Sequence, residues 1–253
     1  MPAAPSSDPS LPNPAPRAGT VWRLVEAQNR ISTMKLVDDL DEQHTLEELL
    51  DATKPPVPAE CQHLHWLLFT PFRYEARSDS RFRRSGRTPG KFYTAEAVET
   101  AVAEIAFWRL LFFVESPGTP WPVNPLEMTG FAVRFETPLC LDLTAAPYDA
   151  RAPEWLHPAD YSACHSMADQ ARVQGCGAIR SHSARDPAGG ANVTLLTCEA
   201  FAEPSPVSYQ TWRIRLSDAG ILALCETPAL RLHFPLAAFD ADPRVAAFIR
   251  QIG

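Results

Sequence analysis

Gly90-Lys91-Phe92-Tyr93-Thr94-Ala95-Glu96 leads straight into an apolar run that ends near Glu115. Phe92-Tyr93-Thr94 reads as a short strand. From about Ala97 to Glu115 the pattern is helical. Ala101, Val102, Ile105, Phe107, Trp108, Leu110, Leu111, Phe112 and Phe113 fall nearly all round the wheel. A helix apolar on so many sides is expected to be covered on several of them. Elsewhere strands and helices mix without a regular strand–helix–strand alternation. That predicts a single α+β domain rather than a doubly wound parallel sheet.

Towards the N-terminus, residues 73–91 are polar and basic, with Gly86 and Gly90 as punctuation, and read as a long loop. His65 to Thr70 suits a helix or a strand and stops at Pro71. Ser32 to about Asp51 is helical, with a capping-box pattern at Thr45-x-x-Glu48. The segment 30–75 reads as an insertion within one domain. Thr20-Val21-Trp22-Arg23-Leu24-Val25 starts a strand. Residues 1–19 hold six prolines, four alanines and three serines without apolar periodicity, so they read as a disordered Pro-rich leader to a domain spanning 20–253.

Towards the C-terminus, Phe131–Glu136 and Leu139–Leu143 are strand candidates. Pro158 to about Val173 is helical, with Gly175 as its stop. Gly177–Ser183 and Val193–Glu199 read as strands around a Gly-rich connection. Tyr209–Leu216 and Leu230–Phe234 are further strands, and Asp242-Pro243 opens a final helix.

Composition narrows the function. Of 253 residues, 45% are hydrophobic and 21% charged, and the net charge is −7. An acidic chain lacks the cationic footprint that sequence-independent nucleic-acid binding needs. No apolar run approaches the roughly 20 residues that span a bilayer. No secretory signal is visible, so the cytoplasm is the expected compartment. The six cysteines lie at least 12 positions apart and form no Cys-x-x-Cys pair. They are expected to be reduced and buried, with no metal site. Cys164 and His165 are adjacent, about 100° apart on a helix, and do not suggest a thiolate–imidazole pair. His63 and His65 lack a third metal ligand. There is no P-loop, no His-Glu-x-x-His and no Gly-x-Ser-x-Gly.

Four features remain, each with two readings. Arg77, Arg81, Arg83, Arg84, Arg87 and Lys91 are opposed only by Asp79. They form either a solvated loop or an anion site of guanidinium forks. Tyr93 is either a core aromatic or a ring that stacks on a flat ligand, with a free phenol tip. Glu104 shares its wheel face with Ala101, Ile105, Phe107 and Trp108, where a carboxylate is costly to bury unless paired or used. Arg109, five residues on, is wrongly spaced to pair with it. A working acid there would stabilise a positive centre or hold ligand hydroxyls. Ser183, before the loop Pro187-Ala188-Gly189-Gly190-Ala191-Asn192, is either a strand-to-turn serine or a ligand contact.

Taken in order, these residues resemble the RES family, named for its Arg, Glu and Ser. Trp22-Arg23 is similar to its opening strand, and Ser80-Arg81-Phe82-Arg83 to its second arginine block. The most specific stretch is Gly90 to Glu96, followed by Glu99-Thr100-Ala101 and Ala103-Glu104. Leu141-Asp142-Leu143-Thr144, Asp160-Tyr161-x-x-Cys164, Ser183-Ala184-Arg185 and Gly190-x-Asn192 fit later blocks. Arg83 stands where many members have Asn.

The resemblance implies a fold related to ADP-ribosyltransferases, a β core with flanking helices, and NAD as substrate without a metal. It implies a toxin of a type II toxin–antitoxin system, held by a cognate antitoxin. Such an enzyme cleaves the nicotinamide–ribose bond and passes ADP-ribose to phosphate or, in some members, to a protein. Glu104 would stabilise the ribose cation, and Arg23 and Arg81 would clamp the pyrophosphate. Tyr93 would stack on nicotinamide, Ser183 would fix the nicotinamide ribose, and Asn192 would help bind NAD. The rival reading is a non-catalytic nucleotide-binding module.

Overall fold

The structure, a computed structural model, describes residues 14–27, 36–86 and 90–252. In chain order the elements begin with β1 (Ala15–Glu26), α1 (Leu40–Ala52), α2 (Trp66–Arg73), β2 (Phe92–Ala95), α3 (Val98–Val114) and β3 (Leu126–Asp142). There follow α4 (Ala152–Trp155), α5 (Ser162–Val173), β4 (Ala178–His182) and β5 (Ala191–Leu195). The chain closes with β6 (Ser208–Ser217), β7 (Gly220–Cys225), β8 (Leu230–Phe234) and α6 (Pro243–Ile252).

The strands form one sheet in the order β1-β2-β5-β4-β3-β6-β7-β8, and β1 also pairs with β3. Five strands therefore close a ring of hydrogen bonds, β1–β2–β5–β4–β3–β1. The remaining three run off β3 as an antiparallel meander. Among the described strands only β3 with β4 is parallel. The architecture is α+β, as the missing strand–helix alternation predicts.

The core falls into three clusters. α3 lays Ala106, Phe107 and Leu110 on Met128, Trp212, Ile214 and Ile221. Phe92, Phe131, Phe135, Val193 and Leu195 meet Leu67 and Leu68 of α2. α5 covers Phe82, Leu143, Ile179 and Leu196. Removing a buried aromatic such as Phe107 costs about 3–5 kcal/mol. α3, which carries Glu104, is thereby pinned to the sheet.

Several sequence expectations are corrected. β1 starts at Ala15, so the supposed leader contributes Ala15 to Gly19 to the sheet, paired with Cys140 to Phe135. Residues 1–13 lie outside the described residues. Proline and small residues hide this strand because its backbone pairing does not depend on side-chain alternation. Arg17 also bonds Glu96 and Asp142, each at 3.1 Å. Residues 32–35 of the expected first helix lie outside the description, and α1 begins at Leu40. Its cap is Asp39, which accepts from the amides of Asp41 and Glu42. Thr45 lies inside the helix with its hydroxyl on the Asp41 carbonyl. Trp66 to Thr70 is helical with His65 as the cap, and that helix continues through Pro71.

β3 is one strand of 17 residues where two were expected. Pro138 supplies no amide, and the β1 register shifts opposite it, so the strand passes through a bulge instead of ending. β7 was not expected. Trp108 and Phe112 of α3 are 42% and 54% exposed, so that helix is less enclosed than its composition suggests. Cys61 and Cys198, 137 positions apart, form a disulfide, which corrects the expectation of reduced thiols for this pair. The other four cysteines are free and buried.

Candidate functional site

β1 and β2 are joined by a single residue pair, Trp22 with Ala95. Where they part, a cleft of about 280 Å³ opens. Its walls come from Trp22, Arg23 and Leu24 on β1, the Ser80–Phe82 turn, Tyr93 to Ala95 on β2, and Glu104 and Trp108 on α3. Tyr161, Ser181, Arg185 and Asn192 complete it.

Glu104 is held from one side. Its Oε1 accepts from the Ser183 hydroxyl and from the Asn192 amide nitrogen, both at 2.6 Å. No described residue bonds its Oε2. The loop between β4 and β5 makes this possible. Gly190 lies so close to α3 that a Cβ there would fall on the Thr100 hydroxyl. That close approach brings the loop's flanking residues, Ser183 and Asn192, to the helix.

Ser183 is buried and does not line the cleft. Its oxygen also accepts from the amides of Arg185 and Asp186, at 3.1 and 3.0 Å. The hydroxyl is fully engaged, so the serine faces the glutamate and not the open volume.

Arg23 bridges the seam between β1 and β2. Its Nη1 donates to the Tyr93 carbonyl at 2.9 Å, and its guanidinium lies 5.0 Å from the centre of the Phe92 ring. Burial pushes its pKa down to about 10. Its Nε is shut off from solvent without a partner. Arg81 lines the cleft with one Nη1 bond, 3.2 Å to the His182 carbonyl. Arg83, in the same block, points elsewhere: it donates to the Tyr74 carbonyl and does not line the cleft.

Tyr93 presents its ring to the cleft, but its phenol tip is not free as expected. The oxygen bonds Ser80 Oγ at 2.8 Å and accepts from the Phe82 amide at 3.2 Å. Burial pushes its pKa up.

With Arg23 Nε, two further polar atoms on this cleft, Ser181 Oγ and Asn192 Oδ1, are buried without partners among the described residues. Buried polar groups are normally hydrogen-bonded, and exceptions mark sites awaiting a ligand or a water.

Sequence reading missed Arg185, Trp108, Tyr161 and Ser181 as cleft residues. Arg185 is buried, pairs with Asp242 at 3.2 Å, and lies 3.7 Å from the centre of the Phe107 ring. Its place in a polar loop hid it, because its acidic partner is 57 positions away. The basic loop does not gather at the cleft: Arg81 lines it, Arg83 and Lys91 do not, and Arg87 lies outside the described residues. As expected, Cys164 and His165 form no pair: Cys164 bonds the Trp155 carbonyl and His165 the Ser80 carbonyl. His65 caps α2. No metal-binding group of three ligands occurs among the described residues.

The model of the RES domain matches residues 57–217. The chain belongs to the RES family. Arg23 precedes the matched span, yet the fold brings it to the same cleft as Arg81, Tyr93 and Glu104 of that span. A solved chain of the M. tuberculosis MbcT–MbcA toxin–antitoxin complex is similar in structure to this RES chain. It is 13% identical, with a TM-score of 0.45, over 78% of this chain and 85% of that one. No curated protein matches in sequence.

Proposed function

We propose that this RES chain is the toxin of a type II toxin–antitoxin pair, a transferase that cleaves NAD and passes ADP-ribose to phosphate. Family membership supports the toxin reading. The observation that carries the chemistry is Glu104, with one carboxylate oxygen fixed by Ser183 and Asn192 and the other left for a ligand. Ligand pockets run from ~300 to 1,000 Å³, so this cleft suits the nicotinamide–ribose end of a dinucleotide better than the whole.

In this reading the bond between ribose C1 and the nicotinamide nitrogen breaks, and its electron pair stays on the ring. Nicotinamide departs neutral and the ribose becomes an oxocarbenium-like cation. The Glu104 carboxylate stabilises that cation and accepts from a ribose hydroxyl. Tyr93 stacks on the nicotinamide, and Arg23 and Arg81 hold the pyrophosphate. Asn192 Oδ1 accepts from the substrate. Ser183 is a positioning residue that acts through Glu104. A phosphate oxygen then bonds to C1, giving ADP-ribose-1″-phosphate and releasing a proton.

The test is incubation with NAD, with and without phosphate. Nicotinamide release with phosphate-dependent ADP-ribose-1″-phosphate is expected. ADP-ribose attached to protein would favour mono-ADP-ribosylation, and intact NAD would favour a non-catalytic nucleotide-binding module.

The same reading requires restraint by a cognate antitoxin at the mouth of the cleft, with acidic groups towards the basic 77–91 segment. It places the protein in the cytoplasm, where NAD is available. Among the described residues no helix is long and apolar enough to cross a membrane.

A further inference from the structure

Lys91 stands at the foot of β2 with 1% of its surface exposed, and its Nζ has no hydrogen-bond partner among the described residues. An ammonium buried without a partner is costly. Its surroundings raise the cost. Arg83, Arg84 and Arg172 all lie within electrostatic range of it. The Nε of Arg83 and the Nε and Nη2 of Arg172 are likewise buried without partners. The acids in range of this group are Asp169, paired with Arg84, and Glu75, which faces Arg83. Four cations thus meet two acids among the described residues.

The three residues with orphan donors come from separate places: the Ser80–Arg83 turn, the approach to β2 and the last turn of α5. Chance crowding along one surface run does not account for them. Buried N–H groups converging from several elements, with surplus positive charge, match an acceptor-only ligand with several oxygens.

We propose that Lys91, Arg83 and Arg172 form a second anion site, outside the cleft, that binds a phosphate-type oxyanion. None of the three lines the cleft. The two sites share the Ser80–Arg83 turn, whose ends exchange backbone hydrogen bonds at 2.8 and 3.0 Å. Arg81 of that turn enters the cleft, Phe82 is buried in the core, and Arg83 enters the second site. Filling the second site fixes Arg83 and so stiffens the turn that presents Arg81. By linkage, occupancy of one site then favours binding at the other. The proposal rests on the cation geometry and stands whether or not the chain cleaves NAD.

The experiment is a titration of the full chain with inorganic phosphate at constant ionic strength, read by calorimetry and by thermal unfolding. Sulfate serves as a second probe, and AMP as the arm for a phosphate carried by a nucleotide. Saturable stabilisation by phosphate and sulfate is expected. Lys91→Met should weaken it at least about tenfold, the scale of one charge-assisted hydrogen bond. Arg172→Gln, at a half-buried position, should do the same and serves if the Lys91 variant does not fold. Arg23→Met, whose side chain lies at the cleft and outside the second site, should start from a lower melting temperature but keep the phosphate-induced shift. If AMP saturates the site at lower concentration and depends on Lys91, a nucleotide phosphate is the source. No saturable stabilisation, or stabilisation lost in Arg23→Met and kept in Lys91→Met and Arg172→Gln, would overturn the proposal.

Discussion

The Ser183 hydroxyl donates to Glu104 Oε1 at 2.6 Å across 79 positions of sequence, and the Asn192 amide shares that oxygen. Two donors on one oxygen fix the plane of the carboxylate. The second oxygen is thereby oriented with no described residue bonded to it, the preorganisation that the proposed charge-stabilising role requires.

Glu104→Gln tests that arrangement cleanly. The replacement amide oxygen can still accept from Ser183 and Asn192, so the fold should hold and thermal stability should change little. NAD turnover should drop at least about a hundredfold, the scale of losing one electrostatic stabiliser. Near-normal turnover with intact circular dichroism would remove Glu104 from the chemistry.

Arg81 and Arg23 should separate. Arg81→Ala should weaken NAD affinity with little effect on folding, since the side chain makes one bond, to the His182 carbonyl. Arg23→Ala should weaken affinity and also lower the melting temperature, because it removes the link from β1 to Tyr93 across the seam. Arg23→Lys should rescue only in part, since a point charge lacks the fork. Binding titrations beside melting curves check both.

Burial pushes the Lys91 pKa down to about 7 from its ordinary value of 10.5. Between those values the unfolded chain holds a proton that the folded chain has released. Stability should therefore rise with pH from about 7 towards 10.5, and the full penalty of the buried charge stands below 7. In phosphate-free chloride buffer, the stability of the wild type relative to Lys91→Met should improve from pH 7 to pH 9. Tyr93, raised in pKa and present in both proteins, cancels from the difference. A difference that is flat with pH would show that Lys91 is not held in its buried position.

The Cys61–Cys198 disulfide ties the segment before α2 to the chain just after β5. Cross-linking stabilises chiefly by restricting the unfolded chain, so reduction should cost about 2–4 kcal/mol. Denaturant melts with and without reductant measure this, with Cys61→Ala/Cys198→Ala as a control that reductant should not affect.

Deleting residues 1–19 should lower the melting temperature. It removes β1 pairings to β3 and the Arg17 bonds to Glu96 and Asp142. An unchanged melting temperature would show that this end of β1 adds nothing to the sheet.

Much of the candidate site was legible because its residues lie in ordered blocks: Arg81 and Tyr93 around β2, Glu104 on an apolar helix, Asn192 after a Gly-rich loop and, held off the cleft, Ser183 before it. A long apolar run found α3, and periodicity found α5 and most strands. The rest depended on partners distant in sequence. Arg185 looks like a loop cation until Asp242 closes on it. The engaged phenol of Tyr93 depends on Ser80, and the role of Ser183 on Glu104, 79 positions away. Ala15 to Gly19 looks like coil because its strand character is supplied by β3.

Ring closure also sets when the site can exist. Trp22 must wait for Ala132, and Phe92 for Leu195, before β1 and β2 have their neighbours. Pairings so far apart in sequence slow folding. On the ribosome, Glu104 leaves the exit tunnel long before Asn192 does. A nascent chain that ends before β5 therefore carries the acid without the amide that orients it, and premature termination yields no assembled cleft.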